Sequence, residues 1–312
     1  MGHGADLQRR RRAGDPLVTG RYGYIGLGNM GAPMARRLLD RPGGLTVLDT
    51  RPEAVTPFVE AGAKATSSPA ELAAECDIVS VTVLDDAQVR DVVTGPDGVL
   101  SSARPGTVVA VHSTISDTTA VELAEICASR GIDLVDAPVS GGAPGAKNGT
   151  LAVMVGASDD AFGRIEEPFG SFASLVVHAG PVGSGTRMKL ARNLLHFIAF
   201  TAATEAQRLA EAAGLDITEL GKVVRHTDAI TGGAGAIMWR DSTSPLTPED
   251  SWFPIFSHVR ALGEKDLALA LDLGDRLGID LPLGARALTD LGPGLGVGIG
   301  EVAQTRSRKE PA

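Results

Sequence analysis

Gly26, Gly28 and Gly31 stand in a G-x-G-x-x-G spacing between a short apolar run at 22–27 and an amphipathic stretch that follows it. That spacing suits a dinucleotide. The first glycine permits a tight turn, the second lets the backbone approach a pyrophosphate, and the third allows a helix to pack closely on a strand. The helix start then offers free N–H groups and a partial positive charge to the anion. In a chain with 39 glycines the spacing arises by chance as well, so its context decides. It leaves a strand, it opens a helix, and an acid, Asp49, ends the next strand 18 positions after Gly31. An acid about 20 residues on bonds the ribose hydroxyls. A carboxylate there repels a 2′-phosphate, which favours NAD. Arg51, two residues later, is either a receiver for that phosphate or a solvated surface charge, so NADP remains the second candidate.

Two further sets carry chemistry. Ser140, Gly141 and Gly142 open a Gly/Pro-rich loop at 140–150. A hydroxyl and backbone N–H groups there suit a small carboxylate, and a tight strand-exit turn explains the same residues equally well. Lys189 and Asn193 stand at i and i+4 near the start of a long helical pattern, so they share a face. A lysine beside an apolar pocket has a lowered pKa and trades a proton with a hydroxyl. The plainer reading is a solvated lysine, although the helix dipole does not favour a cation in the first turns. His3, His112, His178, His196, His226 and His258 are scattered and read as structural. No compact His/Cys/Asp cluster suggests a metal.

The elements that must position these residues follow from periodicity. Strands are expected at 22–27, 45–49, 76–83, 106–113, 132–139, 151–157 and 174–178. Helices are expected at 29–40, 54–62, 86–93, 116–130 and 159–169. Such alternation implies parallel βαβ units. The pattern then changes: one helix runs from 183 to 213, and others cover 216–227, 255–278 and 283–291. The fold class expected is an α/β Rossmann domain followed by an all-α domain, joined by a long interdomain helix. A chain of 312 residues suits two domains. The dinucleotide-binding domain is placed at 21–181 and the helical domain at 182–300, with a disordered tail at 1–20 and a polar tail at 301–312.

A net charge of −9 and 4% aromatic residues argue against a nucleic-acid partner. The basic run at 9–12 falls in the tail and reads as solvated. Cys76 and Cys127 lie in apolar patterns and read as buried, reduced thiols. No apolar run reaches the roughly 18–20 residues of a membrane span, so no membrane partner is expected. No hydrophobic targeting region follows the basic start before Gly23, so the cytoplasm is the expected compartment.

Four motifs occur in order: GLGNMGAPMA at 26–35, DAPVSGG at 136–142 with GTL at 149–151, G-x-G-x-x-x-K-x-x-x-N at 183–193, and KDL at 265–267. Over residues 22–291 the chain resembles the β-hydroxyacid dehydrogenase family. That family includes 3-hydroxyisobutyrate dehydrogenase, tartronate semialdehyde reductase and, more distantly, 6-phosphogluconate dehydrogenase. The resemblance implies an NAD(P)-dependent oxidoreductase that interconverts a small 3-hydroxy acid and its aldehyde or keto acid. Lys189 would be the general acid/base, Asn193 would position the substrate oxygen, and Ser140, Gly141 and Gly142 would bind the carboxylate. Gly26, Leu27, Gly28, Asn29, Met30 and Gly31 would cradle the cofactor. Asp49, Thr50, Arg51, Val83, Leu84, Thr114 and Lys265 would complete its contacts, Lys265 at the nicotinamide end. The helical domain would support a homodimer or homotetramer, with the active site between the domains.

The chain departs from the family pattern in three places. Arg192 stands where the family often has Asn, Val83-Leu84-Asp85 where it often has Met-Leu-Pro, and GLGVGIG at 294–300 where an acidic pair is common. Imine reductases share the architecture but usually replace the lysine with Asp or Tyr, so Lys189 argues against that alternative. A non-catalytic dinucleotide-binding module leaves Lys189 and Asn193 unexplained. The aromatic residues Trp239, Trp252, Phe253 and Phe256 suit a lid, a subunit contact or local packing.

Overall fold

The computed structural model describes residues 20–238, 240 and 243–297. The tails, Trp239 and residues 298–300 of the GLGVGIG segment lie outside the described residues. The chain divides between Arg192 and Asn193 into two compact units.

The first unit is built on a nine-stranded sheet. Its strands are β1 (Tyr22–Ile25), β2 (Leu45–Leu48), β3 (Lys64–Ala65), β4 (Ile78–Val81), β5 (Val108–Val111), β6 (Asp133–Asp136), β7 (Val139–Ser140), β8 (Leu151–Gly156) and β9 (Ala173–Gly180). The parallel part runs in the order β3-β2-β1-β4-β5-β6, the doubly wound arrangement. β1, β4 and β5 are buried at every residue, as central strands covered on both faces must be. One apolar layer gathers Tyr22, Tyr24, Val108 and Ala110, and the other Ile25, Val79, Val109 and Val111, which is the period of two expected along a strand. Gly23 keeps the second layer close: a Cβ there would stand 2.3 Å from Leu72 Cδ2.

The helices of this unit are α1 (Gly31–Arg36), α2 (Pro52–Val59), α3 (Pro69–Glu75), α4 (Asp86–Thr94), α5 (Asp117–Ala128), α6 (Gly142–Asn148) and α7 (Asp159–Phe169). α8 (Ser184–Ala212) starts in this unit and continues into the next. Local chemistry fixes their starts. Ser68 caps α3 at Glu71 N (3.2 Å), and Asp85 caps α4 at Gln88 N (2.9 Å). Three expectations are corrected. The helix expected over 29–40 is only α1, because Arg37, Leu38 and Leu39 donate to carbonyls three residues back and tighten the chain into turns. The expected loop at 140–150 contains β7 and α6, a helix that ends at Gly149 in the left-handed conformation (φ +71°). The sheet is not wholly parallel, since β8 runs antiparallel to β6 and β7. A parallel crossover needs a dozen or more residues, more than the ten between Ser140 and Leu151. β6 and β7 keep one register on β8, with Asp136 opposite Gly156 and Ser140 opposite Ala152. Cys76 and Cys127 are buried and unbridged, and burial pushes their thiols up to about 11 and about 12.

The second unit holds the rest of α8 with α9 (Ile217–Thr231), α10 (Phe253–Leu277) and α11 (Pro282–Gly294). The Glu205 carboxylate on α8 accepts from Leu283 N (2.9 Å) and Gly284 N (3.1 Å) and so caps α11. Gly263 lets α10 and α11 close up, since a Cβ there would stand 2.6 Å from Leu291 Cδ2. Trp252, Phe253 and Phe256 pack locally with Leu295 and Val297, so the departing GLGVGIG segment contributes to a small core. Among the described residues no helix is long and apolar enough to cross a membrane.

Candidate active site

The carboxyl ends of β1, β4 and β5, where the strand order reverses, carry the glycine turn, Val83–Leu84 and Thr114. Gly26 takes φ +93°, and a Cβ on it would lie 2.1 Å from Thr82 O. A Cβ on Gly31 would lie 1.9 Å from Gly26 O. Both glycines are required by the fold itself. Gly28 differs, because a Cβ on it would meet nothing within 4 Å. Its bareness serves no neighbour in the chain and leaves a surface that a ligand can approach. Asn29 is exposed and Met30 half-buried beside it.

Asp49 braces this turn. Its carboxylate accepts from Leu27 N (2.7 Å), Arg51 N (2.9 Å) and Arg51 Nε (3.1 Å). Burial raises the pKa of such a group, but the Arg51 guanidinium and the two backbone N–H groups outweigh it, and the carboxyl sits below its usual range. Arg51 and Thr50 are exposed above it. Across the turn, Ser113 Oγ donates to Val83 O (2.7 Å) and accepts from Val83 N (2.9 Å), fixing the backbone after β4. Leu84 and Thr114 are exposed. Asp85, one of the residues that depart from the family pattern, acts as the cap of α4. These residues fit a dinucleotide: an open glycine, a buttressed acid and ordered backbone at the point where the sheet order reverses.

β7 and α8 build the second half of the site. Lys189 is only 8% exposed. Its Nζ donates to Val139 O (2.7 Å) and Ser140 Oγ (2.9 Å). Burial holds the amine below the usual lysine range, and the nearby Arg192 guanidinium adds to the effect. Sequence spacing alone left open a solvated lysine, and the observed burial removes that reading. Gly141 (φ +127°) and Gly142 (φ +64°) follow Ser140 in backbone conformations that favour glycine, and both are exposed beside the amine's anchor. Asn193, half-buried and one turn beyond Lys189 on the same helix, opens the second unit. Lys265 lies in the second unit on α10, with its amine 3.0 Å from Asp266 Oδ1.

Sequence reasoning gave no role to two residues of this region, Ser113 and Asp136, although Asp136 opens the DAPVSGG motif. Both are polar side chains at the end of apolar strands, a signal as visible in the sequence as the glycines. Asp136 is fully buried and accepts from Gly183 N (2.7 Å) and Thr186 N (2.6 Å).

Residues 21–180 match the family described as the NAD binding domain of 6-phosphogluconate dehydrogenase. Residues 183–290 match that described as NAD-binding of NADP-dependent 3-hydroxyisobutyrate dehydrogenase. A Mycobacterium tuberculosis protein described as an uncharacterized oxidoreductase is 62% identical over 279 residues, 89% of this chain and 94% of its own. The 2-(hydroxymethyl)glutarate dehydrogenase of Eubacterium barkeri is 32% identical over 90% of this chain and 91% of its own. The structure of Mycobacterium tuberculosis 3-hydroxyisobutyrate dehydrogenase with L-serine has a TM-score of 0.63 at 31% identity, covering 92% of this chain and 99% of that one. An imine reductase from Pseudomonas sp. has a TM-score of 0.65 at 22% identity over 93% of this chain and 95% of its own, a likeness of fold alone.

Proposed function

The chain belongs to the NAD(P)-dependent hydroxyacid dehydrogenase family of 3-hydroxyisobutyrate and 6-phosphogluconate dehydrogenases, and from that premise we propose that it interconverts a small 3-hydroxy acid and the corresponding aldehyde or keto acid. The observation that carries this reading is the buried Lys189 amine held between Val139 O and Ser140 Oγ. A neutral amine takes the proton of the substrate hydroxyl, and the ammonium returns it in the reverse direction. Burial makes the neutral form accessible closer to neutral pH, where general base catalysis is most effective. A positioned proton transfer of this kind contributes about 10²–10⁴-fold.

Ser140, Gly141 and Gly142 receive the substrate carboxylate through a hydroxyl and backbone N–H groups, and Asn193 orients the hydroxyl beside Lys189. When bound, the nicotinamide supplies the hydride acceptor or donor. The turn from Gly26 to Gly31 would hold its pyrophosphate, with Asp49, Thr50, Arg51, Val83, Leu84, Thr114 and Lys265 completing the contacts. Asp49 favours NAD, since a carboxylate opposes a 2′-phosphate. The 2-(hydroxymethyl)glutarate and 3-hydroxyisobutyrate dehydrogenases, both above 30% identity, are named for hydroxy acids, which supports the substrate class. Lys189 weighs against imine reduction, because a proton-accepting amine beside a carboxylate site suits an alcohol.

The partners follow from the same reading: a small hydroxy acid, a second copy of this chain in a homodimer or homotetramer, and neither nucleic acid nor membrane. α8 and α9 leave Leu194, Phe197, Phe200, Val223 and Ile230 exposed, Phe197 at 59% and Ile230 at 72%. Apolar side chains on that scale ask for a covering surface. Light scattering should give at least twice the chain mass, and a monomer would contradict the expectation. We place the enzyme in the cytoplasm, where soluble nicotinamide pools serve it.

Absorbance of the reduced nicotinamide tests the function. The panel is 3-hydroxyisobutyrate, 3-hydroxypropionate, glycerate, threonate and serine, each with NAD and NADP. Turnover of at least one is expected with NAD. Silence with all five, from a protein that binds NADH, would refute the substrate class.

A further inference from the structure

Asp136 does nothing in the chemistry described so far. It is fully buried in the sheet, and a buried carboxylate is costly unless its oxygens are satisfied. Burial raises its pKa, and the hydrogen bonds from Gly183 N and Thr186 N oppose that rise. An ordinary cap acts at an exposed helix start and needs no burial. Stability alone therefore does not account for a carboxylate at this place.

Its partners do account for it. A helix leaves its first N–H groups without internal acceptors. Here Gly183 N reaches Asp136 Oδ1 at 2.7 Å and Thr186 N reaches Oδ2 at 2.6 Å. Two charge-assisted bonds to one rigid carboxylate fix both the height and the rotation of α8. Thr186 lies three residues before Lys189, so the grip is one turn from the amine and on its side of the helix. The acceptors of that amine, Val139 O and Ser140 Oγ, continue the segment that carries Asp136, in a single register on β8. The joint leaves no slack. A Cβ on Gly156 would stand 2.1 Å from Asp136 Oδ1, and one on Gly185 would stand 2.4 Å from Met154 O and 2.5 Å from Asp136 O.

We propose that Asp136 is a positioning residue for the acid–base amine: by gripping the start of α8 it sets the helix register at which Lys189 reaches Val139 O and Ser140 Oγ. Strand and helix then form one clamp, with the carboxylate as one jaw and the amine's two acceptors as the other. The ionisable groups about this joint are Asp136 itself, Arg192 on the lysine's own helix, Arg187 on the same helix paired with Asp117 of α5 at 2.8 Å, and His112 at the end of β5, which burial keeps neutral. Only the catalytic consequence rests on the proposed role of Lys189. The positioning itself stands without it.

The test is chosen to keep those two apart. Competitive acylation of the intact protein, read at Lys189 by mass spectrometry across pH, reports the titration of that amine without any substrate. Asp136→Asn keeps the volume but turns an amide N–H toward one of the helix donors. Asp136→Glu keeps the charge and moves it by a methylene, and it serves if the first variant folds poorly. NADH affinity close to that of the parent protein shows that the first unit is intact. The Lys189 midpoint is expected to rise toward that of ordinary lysines, which lowers its neutral fraction at a given pH. kcat should fall at least about tenfold while KM for the cofactor holds. An unchanged Lys189 titration in a folded variant overturns the proposal. A raised midpoint with unchanged kcat supports the clamp and instead overturns the role of Lys189 as the base.

Discussion

Replacing Gly28 by alanine separates the two duties of the glycine turn, building the fold and receiving a dinucleotide. A Cβ at Gly28 meets nothing within 4 Å, and its φ is not among the positive ones. Alanine therefore fits without strain. It lowers the entropy of the unfolded chain, which stabilises a protein by about 0.4–1 kcal/mol. The apo melting temperature should stay level or rise by about 1–4 °C. The added methyl stands where the pyrophosphate approaches and holds it off the backbone N–H groups. Losing one hydrogen bond to a charged group costs about 1.5–3 kcal/mol, which weakens binding at least about tenfold. Gly31→Ala gives the contrast, because its Cβ would fall 1.9 Å from Gly26 O and force the turn apart. The assay is thermal melting of each apo protein beside NADH titration by fluorescence. Gly28→Ala should melt like the parent and bind poorly, whereas Gly31→Ala should melt low. Parental NADH affinity in Gly28→Ala, or a melting point as low as that of Gly31→Ala, would refute the reasoning.

Acid should weaken the fold through His112, which burial pushes down to about 4 despite a bond from its Nδ1 to Ala137 O. The unfolded chain takes that proton near 6.5, so it binds more protons than the fold between about 6.5 and about 4. Stability from this group is complete above pH 6.5 and falls by about 3 kcal/mol as the pH drops to 4. Urea melts across that window should show the loss in the parent and not in His112→Gln, and equal slopes would contradict it. Arg51 is exposed over Asp49 and is the group available to a 2′-phosphate. Arg51→Ala should leave KM for NAD within about threefold and raise KM for NADP at least about tenfold. Equal effects on the two cofactors would show that Arg51 serves only to brace Asp49.

The features of the molecule that are legible in the sequence are those with local causes. The glycine turn declared itself because strand, turn and helix are contiguous, and Asp49 lies one strand away. The two-part architecture followed from the change of hydrophobic period after residue 183. α6 was hidden because Gly, Pro and Asn dominate residues 141–149, a composition that reads as loop until the glycines at its two ends are seen in left-handed backbone. α3 has seven residues, too few for a helical period to stand out. The antiparallel turn at β8 was decided by connection length rather than by composition. The role of Asp136 depends on N–H groups 47 and 50 residues further along, a pairing that no local pattern encodes. For Lys189 the spacing left a solvated lysine open, and only its burial against Val139 O and Ser140 Oγ removed that reading.

The most direct test of the central claim is the turnover of Lys189→Ala, set beside the parent with the hydroxy acid that the parent oxidises. NADH affinity is measured on the same samples. We expect a fall of about 10²–10⁴-fold in kcat with cofactor affinity retained, because the proposed proton transfer passes through Lys189 and the proposed dinucleotide contacts do not. Parental turnover in a Lys189→Ala enzyme that binds NADH normally would contradict it.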